Sequence, residues 1–180
     1  GMLRPDLLAE MKESGCTGLM IGLESLDEEL LGEMDKGVTV ADNEQACHWM
    51  NHFGLNIFPG LIIGMPGETR ASVEATIQAC IRHRIVLNEW NYAFATPYPG
   101  TELYSEAKRK GLIGDEWGYV EKLCAKGDTN VLTLNMTDFS DNTLIALRQN
   151  AIALTQKGIS GGGSRSQRSY HIRVATKVSR

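Results

Sequence analysis

Apolar residues along the chain alternate between continuous runs and helical stripes, as expected for repeated strand and helix units. Continuous runs occur at 19–23 and 55–63, and such runs are typical of parallel strands that are covered on both faces. Helical stripes follow Pro5, Thr39 and Thr69, residues that commonly begin helices. This order predicts an α/β fold, an incomplete (β/α) barrel of parallel strands with flanking helices.

The βα rhythm continues to about residue 112 and then changes. A third strand is predicted at 89–96, followed by a helix that begins after Thr101. Residues 113–137 carry no regular pattern, and the apolar stripe after Ser140 predicts a C-terminal helix that packs back on the sheet. We therefore expect three segments: the barrel portion at 1–112, an irregular segment with a packing helix at 113–159, and a basic, flexible tail at 160–180.

Two local features refine these assignments. Pro59 lies within the second apolar run and cannot donate a ladder hydrogen bond, so we expect a bulge, a sheet edge or a late strand start there. Ser25 and Glu28 have the spacing of a capping box and predict the start of a short helix.

The bulk composition is that of a globular protein with one core. The chain has 180 residues, of which 42% are hydrophobic, and no apolar stretch approaches the roughly 20 residues of a membrane span. We expect a cytoplasmic protein. The cysteines are separated by 31, 33 and 44 residues, which favours reduced thiols over a metal site or a cluster. They are Cys16, Cys47, Cys80 and Cys124.

Charge is distributed unevenly. The net charge is −4, yet residues 161–180 contain five basic residues and no acidic one. That segment begins with GGGS, a flexible-linker composition. We interpret it as a flexible tail, and nucleic acid is not an expected partner of the acidic remainder.

Polar and glycine residues follow each predicted strand where it ends. Glu24 follows the first strand, the pattern GxIxG with PGET ends the second, and ATPYPGT ends the third. Parallel strands of α/β barrels present such residues to a ligand at their carboxyl ends. Missing Cβ atoms at Gly60 and Gly64 would let a flat apolar ligand approach the strand closely.

Each of these features also has a structural interpretation. Ser25 could serve only as a helix cap while Glu24 pairs with a neighbouring Arg. His48 and His52 have a spacing that can bind a metal, with Glu44 on the same helix side. No third ligand is evident, so we interpret this side as a solvated face.

The strings MIGLES, KGVT, GLIIGMPGET and ATPYPGTELYSEAKRKGLI together resemble the radical S-adenosylmethionine (SAM) enzymes. The resemblance covers about residues 3–117. It is closest to the branch often joined to a cobalamin-binding domain, which includes the anaerobic magnesium-protoporphyrin IX monomethyl ester oxidative cyclases. By this resemblance, residues 1–112 are the C-terminal portion of the radical SAM partial barrel.

The resemblance implies a role for each strand end. Glu24 and Ser25 match the residues that contact the ribose and amino acid part of SAM, and Thr96 and Pro97 match a turn near the adenine. The segment matching the strand along the adenine contains Gly60, Ile62 and Gly64. An aromatic group that either shapes a substrate pocket or fills the barrel contains Trp90, Tyr92, Phe94 and Tyr98.

One departure from the family pattern bears on activity. Radical SAM enzymes hold a 4Fe-4S cluster with a CxxxCxxC loop, and these 180 residues contain no such loop. We therefore expect the C-terminal part of a longer radical SAM protein, inactive alone and partnered by the missing N-terminal half of the barrel. The resemblance implies SAM, the 4Fe-4S cluster and a small-molecule substrate for the parent enzyme, and it suggests cobalamin through an upstream domain.

Two other classes of function stay open from the residues alone. A non-catalytic βα module could bind a nucleotide or phosphate through the strand-end glycines. An aldolase-like lyase would need a Schiff-base lysine or metal ligands at strand ends. Lys36 and Lys110 are instead predicted at helix ends.

Overall fold

The computed structural model describes residues 3–126 and 129–160. Its strands are β1 (Gly18–Glu24), β2 (Asn56–Ile63) and β3 (Tyr92–Phe94). Its helices are α1 (Pro5–Glu13), α2 (Glu28–Glu33), α3 (Val40–His52), α4 (Arg70–Arg82), α5 (Glu102–Arg109), α6 (Glu116–Lys126) and α7 (Asp141–Ser160). The three strands form one parallel sheet in chain order. The α/β prediction is confirmed, whereas the tail predicted beyond α7 lies outside the described residues.

Helix starts follow the local sequence closely. Thr39 and Thr69 each accept from a backbone N–H at the third helical position, and both α3 and α4 begin with a reciprocal capping box. The box predicted at Ser25 is wrong: α2 is capped by Asp27, whose carboxylate accepts from Leu30 N–H at 3.1 Å.

One face of the sheet carries the main hydrophobic core. Its central part lies between the strands and helices α3, α4 and α7, and a smaller cluster joins α1 and α3 to the first half of the sheet. The stripe of α7 contributes Leu144, Leu147 and Ala151, all fully buried. The prediction that this helix packs back on the sheet is confirmed.

The opposite face of the sheet is open in the described residues. Met20 and Phe58 are register partners on β1 and β2, and they are 85% and 53% exposed. The expectation of strands covered on both faces is therefore wrong for these residues, because all the described helices that pack on the sheet lie on one side. In a closed barrel the open face would be the interior.

Pro59 lies inside β2, opposite Ile21 of β1. Backbone groups alternate in direction along a strand, and Leu61 N–H donates toward β3 to Asn91 O. Pro59 faces the same side as Leu61, but β3 pairs with β2 only from Leu61 onward, so no strand lies beside Pro59 on that side. The expected local edge is thus confirmed, and no ladder hydrogen bond is lost.

Two elements differ from the predicted pattern. β3 is shorter than predicted, because the Asn88 side chain accepts from the N–H groups of Trp90 and Asn91 and holds that segment in a turn. Residues 113–137 include α6, which Asp115 caps by accepting from Gly118 N–H at 3.1 Å. The prediction that this segment is irregular throughout is wrong.

The two edges of the sheet differ. Along β3, Phe94 N–H donates to Thr129 O at 2.8 Å and Arg148 donates to Tyr92 O at 2.6 Å. Along the outer edge of β1, the sheet order leaves no described strand as a partner. One edge is therefore covered by the chain itself and the other is open within residues 3–126 and 129–160.

Candidate functional site

The residues predicted to form the site follow three neighbouring parallel strands. Glu24 is the last residue of β1, Gly64 follows β2, and Thr96 follows β3 after one intervening residue. Because neighbouring parallel strands end at one edge of a sheet, the structure brings these three positions to the same rim. The three positions are therefore not scattered over different sides of the molecule.

Glu24 has an unusual backbone and a charged partner. Its φ is +59°, and the register of β1 against β2 shifts between Gly22 and Glu24. Its carboxylate forms an ion pair with Lys36, which lies twelve residues along the chain. The Glu24 side chain is only 17% exposed and that of Lys36 is 43% exposed. The alternative interpretation from the sequence had named a neighbouring arginine as the partner, and Lys36 was missed because nothing local signals a contact across α2.

Buried polar groups fix the turn after β1. The Asn43 amide donates to Leu23 O at 2.8 Å and to Ser25 O at 3.2 Å. Thr76 of α4 accepts from Leu26 N–H at 3.3 Å. Because buried polar groups with complete partners rigidify their surroundings, α3 and α4 determine where this turn lies.

Ser25 itself is almost fully buried. Its exposed fraction is 2%, and its hydroxyl accepts from Asp27 N–H at 3.1 Å. The hydroxyl therefore stabilises the turn before α2. A ligand contact by Ser25 stays a prediction.

The open face of the sheet contains a strip of two paired glycines. Gly22 and Gly60 are register partners. A Cβ on Gly60 would meet only Gly22 Cα at 3.6 Å and Ile21 O at 3.8 Å, so the space above it is free. The half-buried Ile62 follows on the same face. A flat ring can lie against such a surface because the backbone is accessible. Gly22 was not among the residues predicted from the sequence.

Gly64 has a different role from Gly60. It follows the end of β2 with φ +93°, and a Cβ there would lie 3.1 Å from Leu144 Cδ2. The expectation that both glycines open one strand face is wrong for Gly64: a left-handed backbone and the packing of α7 require glycine there. Its N–H donates to the buried Glu68 carboxylate at 3.1 Å.

The turn after β3 is held by its own hydrogen bonds. The Thr96 hydroxyl donates to Phe94 O at 3.1 Å, and Pro97 O accepts from the Tyr119 hydroxyl at 2.9 Å. Thr96 is half-buried and Pro97 is buried. Both residues lie at the predicted rim, and their contact with a base stays a prediction.

The four aromatic residues do not form one cluster. Tyr92 and Phe94 are 1% and 4% exposed in the main core, where the Arg148 guanidinium stacks 4.8 Å from the Phe94 ring centre. Trp90 is 81% exposed and Tyr98 is 47% exposed. Burial on the helix side of the sheet supports the packing interpretation for Tyr92 and Phe94, while Trp90 and Tyr98 stay predicted pocket residues.

The histidine side of α3 forms ion pairs. Glu44 pairs with Arg82 and approaches His83 Nε2 at 4.0 Å, and the His52 ring packs against Phe53. Within residues 3–126 and 129–160, no group of three His, Cys, Asp or Glu side chains could hold a metal ion.

The four cysteines are free thiols in different surroundings. Cys47 and Cys80 are buried, Cys16 is half-buried and Cys124 is exposed. Burial, with a smaller effect of the Glu44 carboxylate, raises the pKa of Cys47 to about 12, and burial also raises the pKa of Cys80. These two thiols are poor metal ligands because the thiolate is the ligand form.

The described residues fit one expected group and not the other. The glycine strip is open above Gly60 and is bordered at Gly22 by the charged side chains of Glu24 and Lys36, which suits a nucleoside that carries an amino acid group. The 4Fe-4S cluster finds no fitting donor set here, since no three thiols lie together in the described parts of the chain.

Comparisons with known proteins agree with the strand-end motifs. The model of the radical SAM superfamily matches residues 1–80. An uncharacterized methyltransferase, PH0819 of Pyrococcus horikoshii, is 37% identical over 103 residues, which are 57% of this chain and 22% of that protein. Residues 1–80 are thus similar to the radical SAM superfamily.

Further relatives have more specific names. The bacteriochlorophyllide d C-8(2)-methyltransferase of Chlorobaculum tepidum is 27% identical over 63% of this chain and 25% of its own length. The anaerobic magnesium-protoporphyrin IX monomethyl ester cyclase of Cereibacter sphaeroides is 25% identical over 61% of this chain and 18% of its own. The chain therefore spans about a fifth to a quarter of the length of the curated relatives it matches. Separately, no helix among the described residues is long and apolar enough to cross a membrane.

Proposed function

We propose that residues 1–112 supply part of the SAM-binding and substrate-binding face of a radical SAM enzyme. The observation that carries this proposal is the strip formed by Gly22 and Gly60, which ends at the paired charges of Glu24 and Lys36. The adenine would lie along Gly60 and Ile62, near the turn at Thr96. The cofactor supplies the radical chemistry, while these residues bind and orient it.

The Glu24–Lys36 pair matches the charges of the methionine part of SAM. That group is a zwitterion, with one ammonium and one carboxylate. Glu24 would accept from the ammonium and Lys36 would donate to the carboxylate, so binding would exchange an internal pair for two charge-assisted contacts. Such an exchange keeps both protein charges partnered, because neither is left unpaired in the bound state.

The cluster loop would be located on another segment of the parent protein. Incubation of this chain with iron and sulfide under reducing, anaerobic conditions should then give no stoichiometric 4Fe-4S cluster, as measured by iron content and visible absorbance. One cluster per chain would contradict the proposal, since four separated thiols would have had to assemble it.

The open edge of β1 would receive that segment. By the alternation of the ladder, Met20 and Gly22 direct their N–H and C=O groups away from β2. Beside this edge, α1 and α3 border a largely apolar cavity of about 530 Å³ that includes Leu7 and Trp49. Natural sheets rarely leave a flat, apolar edge uncovered. The occupant we propose is a parallel strand of the N-terminal half of the barrel.

Hydrogen exchange tests the open edge in the isolated chain. The amides of Leu19 and Ile21 face β2 and should exchange slowly, whereas those of Met20 and Gly22 should exchange at least roughly 10-fold faster, the effect of one hydrogen bond. Equal protection of all four amides would contradict an uncovered edge, and would indicate that a second copy occupies it.

The parent reaction would be methyl transfer or cyclisation on a small molecule. The named relatives are methyltransferases and a cyclase, which supports this class, and an upstream cobalamin-binding domain is part of the proposal. A rival non-catalytic module would bind simple nucleotides equally well. Binding of ATP that is as tight as binding of SAM, or tighter, in calorimetry would favour that rival.

A further inference from the structure

A buried carboxyl group lies next to Gly64, the residue that follows β2. Glu68 is 6% exposed, although it follows the surface turn at Pro66 and Gly67. Its Oε2 accepts from Gly64 N–H at 3.1 Å, and its Oε1 accepts from the Ser72 hydroxyl. Both oxygens are therefore used inside the protein.

Gly64 is fixed from two sides. Its N–H is held by Glu68, and the position of a missing Cβ is closed by Leu144 Cδ2 at 3.1 Å. Its φ of +93° directs the chain out of the sheet immediately after Ile63. The direction of the end of β2, next to Ile62, thus depends on these two contacts.

The surroundings of Glu68 oppose its ionisation. Burial raises the pKa of the Glu68 carboxyl, the hydrogen bonds from Ser72 and Gly64 lower it, and the Asp27 carboxylate raises it further. Tyr92, from β3, also faces this group, since the Glu68 carboxylate adds to the burial that raises the pKa of its phenol. Both forms of the carboxyl can accept from Gly64, but the charged form accepts more strongly.

We infer that Glu68 is a positioning residue that fixes Gly64, and through it the end of β2 on which the proposed adenine site depends. The expected effect of Glu68 on SAM binding rests on the proposed function. The structural part of the inference, that Glu68 fixes Gly64, depends only on the hydrogen bond from Gly64 N–H to the Glu68 carboxylate.

Two variants at position 68 separate geometry from charge. Glu68→Gln keeps an acceptor for Gly64 and can donate to Ser72, whereas Glu68→Ala leaves the Gly64 N–H without its acceptor. The Ala variant should show roughly 10-fold faster exchange of the Gly64 amide and roughly 10-fold weaker SAM binding, the effect of one hydrogen bond. The Gln variant should restore both values to within about twofold.

A pH titration keeps the inference testable if the Ala variant does not fold. In the wild type, the Gly64 amide proton shift, followed by NMR, should titrate with a pKa above the ordinary range of a glutamate. In Glu68→Gln this titration should vanish. Its persistence in the Gln variant would overturn the inference, as would a folded Ala variant with unchanged Gly64 exchange. Failure of wild-type SAM binding would instead overturn only the proposed function, because Gly64 exchange is measured without SAM.

Discussion

Replacing Gly22 by alanine should move the Glu24 carboxylate without disrupting the fold. A Cβ at position 22 would lie 2.7 Å from Glu24 Oε1 and 3.4 Å from Lys36 Nζ. The first distance is too short for a stable contact, so the carboxylate must shift. The atoms it approaches are the ends of flexible side chains, and moving them costs little.

The expected magnitudes differ for stability and for binding. A partly exposed ion pair contributes about 0–1 kcal/mol, and alanine in place of strand glycine returns about 0.5–1 kcal/mol. The free energy of unfolding should therefore stay within about 1 kcal/mol of wild type. Loss of one hydrogen bond to a charged group costs about 1.5–3 kcal/mol, or roughly 10- to 150-fold in the Kd for SAM.

Urea denaturation and an NMR titration with SAM measure the two quantities separately. The matched control is Gly32→Ala, because a Cβ at Gly32 in α2 would meet nothing within 4 Å. That control should gain up to about 1 kcal/mol in stability and keep the wild-type Kd. A Gly22→Ala Kd within twofold of wild type would refute the importance of the Glu24 position. A loss above about 3 kcal/mol would refute the argument that only side-chain ends must move.

Two further predictions concern the core. Arg148→Leu should lower the free energy of unfolding by about 2–5 kcal/mol in urea denaturation, because the carbonyls that its buried guanidinium now contacts lose a donor. As a control, replacing the exposed arginine in Arg109→Leu should lower it by under about 1 kcal/mol. Equal losses in the two variants would contradict the packing of Arg148 described above. Alkylation by iodoacetamide in the native state should modify the exposed Cys124 and spare Cys47 and Cys80, because burial raises the pKa of these two thiols. Rapid labelling of Cys47 or Cys80, detected by mass spectrometry, would contradict their placement in the core.

Local sequence signals determined much of the fold. The capping boxes at Thr39 and Thr69 involve residues three positions apart, so they can be recognised in the sequence. The apolar stripe of α7 and the apolar run of β1 were also recognisable, because each is a pattern of residues that are close together in the sequence. β3 was overestimated because side-chain hydrogen bonds from Asn88 compete with strand pairing, an effect that apolar alternation does not record.

The location of the candidate site at the strand ends was predictable from the sequence, and its individual contacts were not. Glu24 and Gly60 were recognised because each follows or interrupts an apolar run. The partner of Glu24 was missed because Lys36 reaches it across α2, and the burial of Glu68 depends on how α4 packs against β2. The role of Gly64 was misassigned because Leu144, eighty residues away, closes the space beside it.

An NMR titration of the isotopically labelled chain with SAM shows whether the strand-end face binds the cofactor. We expect amide shift changes concentrated at Gly22, Glu24 and the segment 60–64, saturating at or below millimolar SAM. Changes confined to the opposite helical side near His48 and Arg84, or no changes at the strand ends at millimolar SAM, would contradict this expectation.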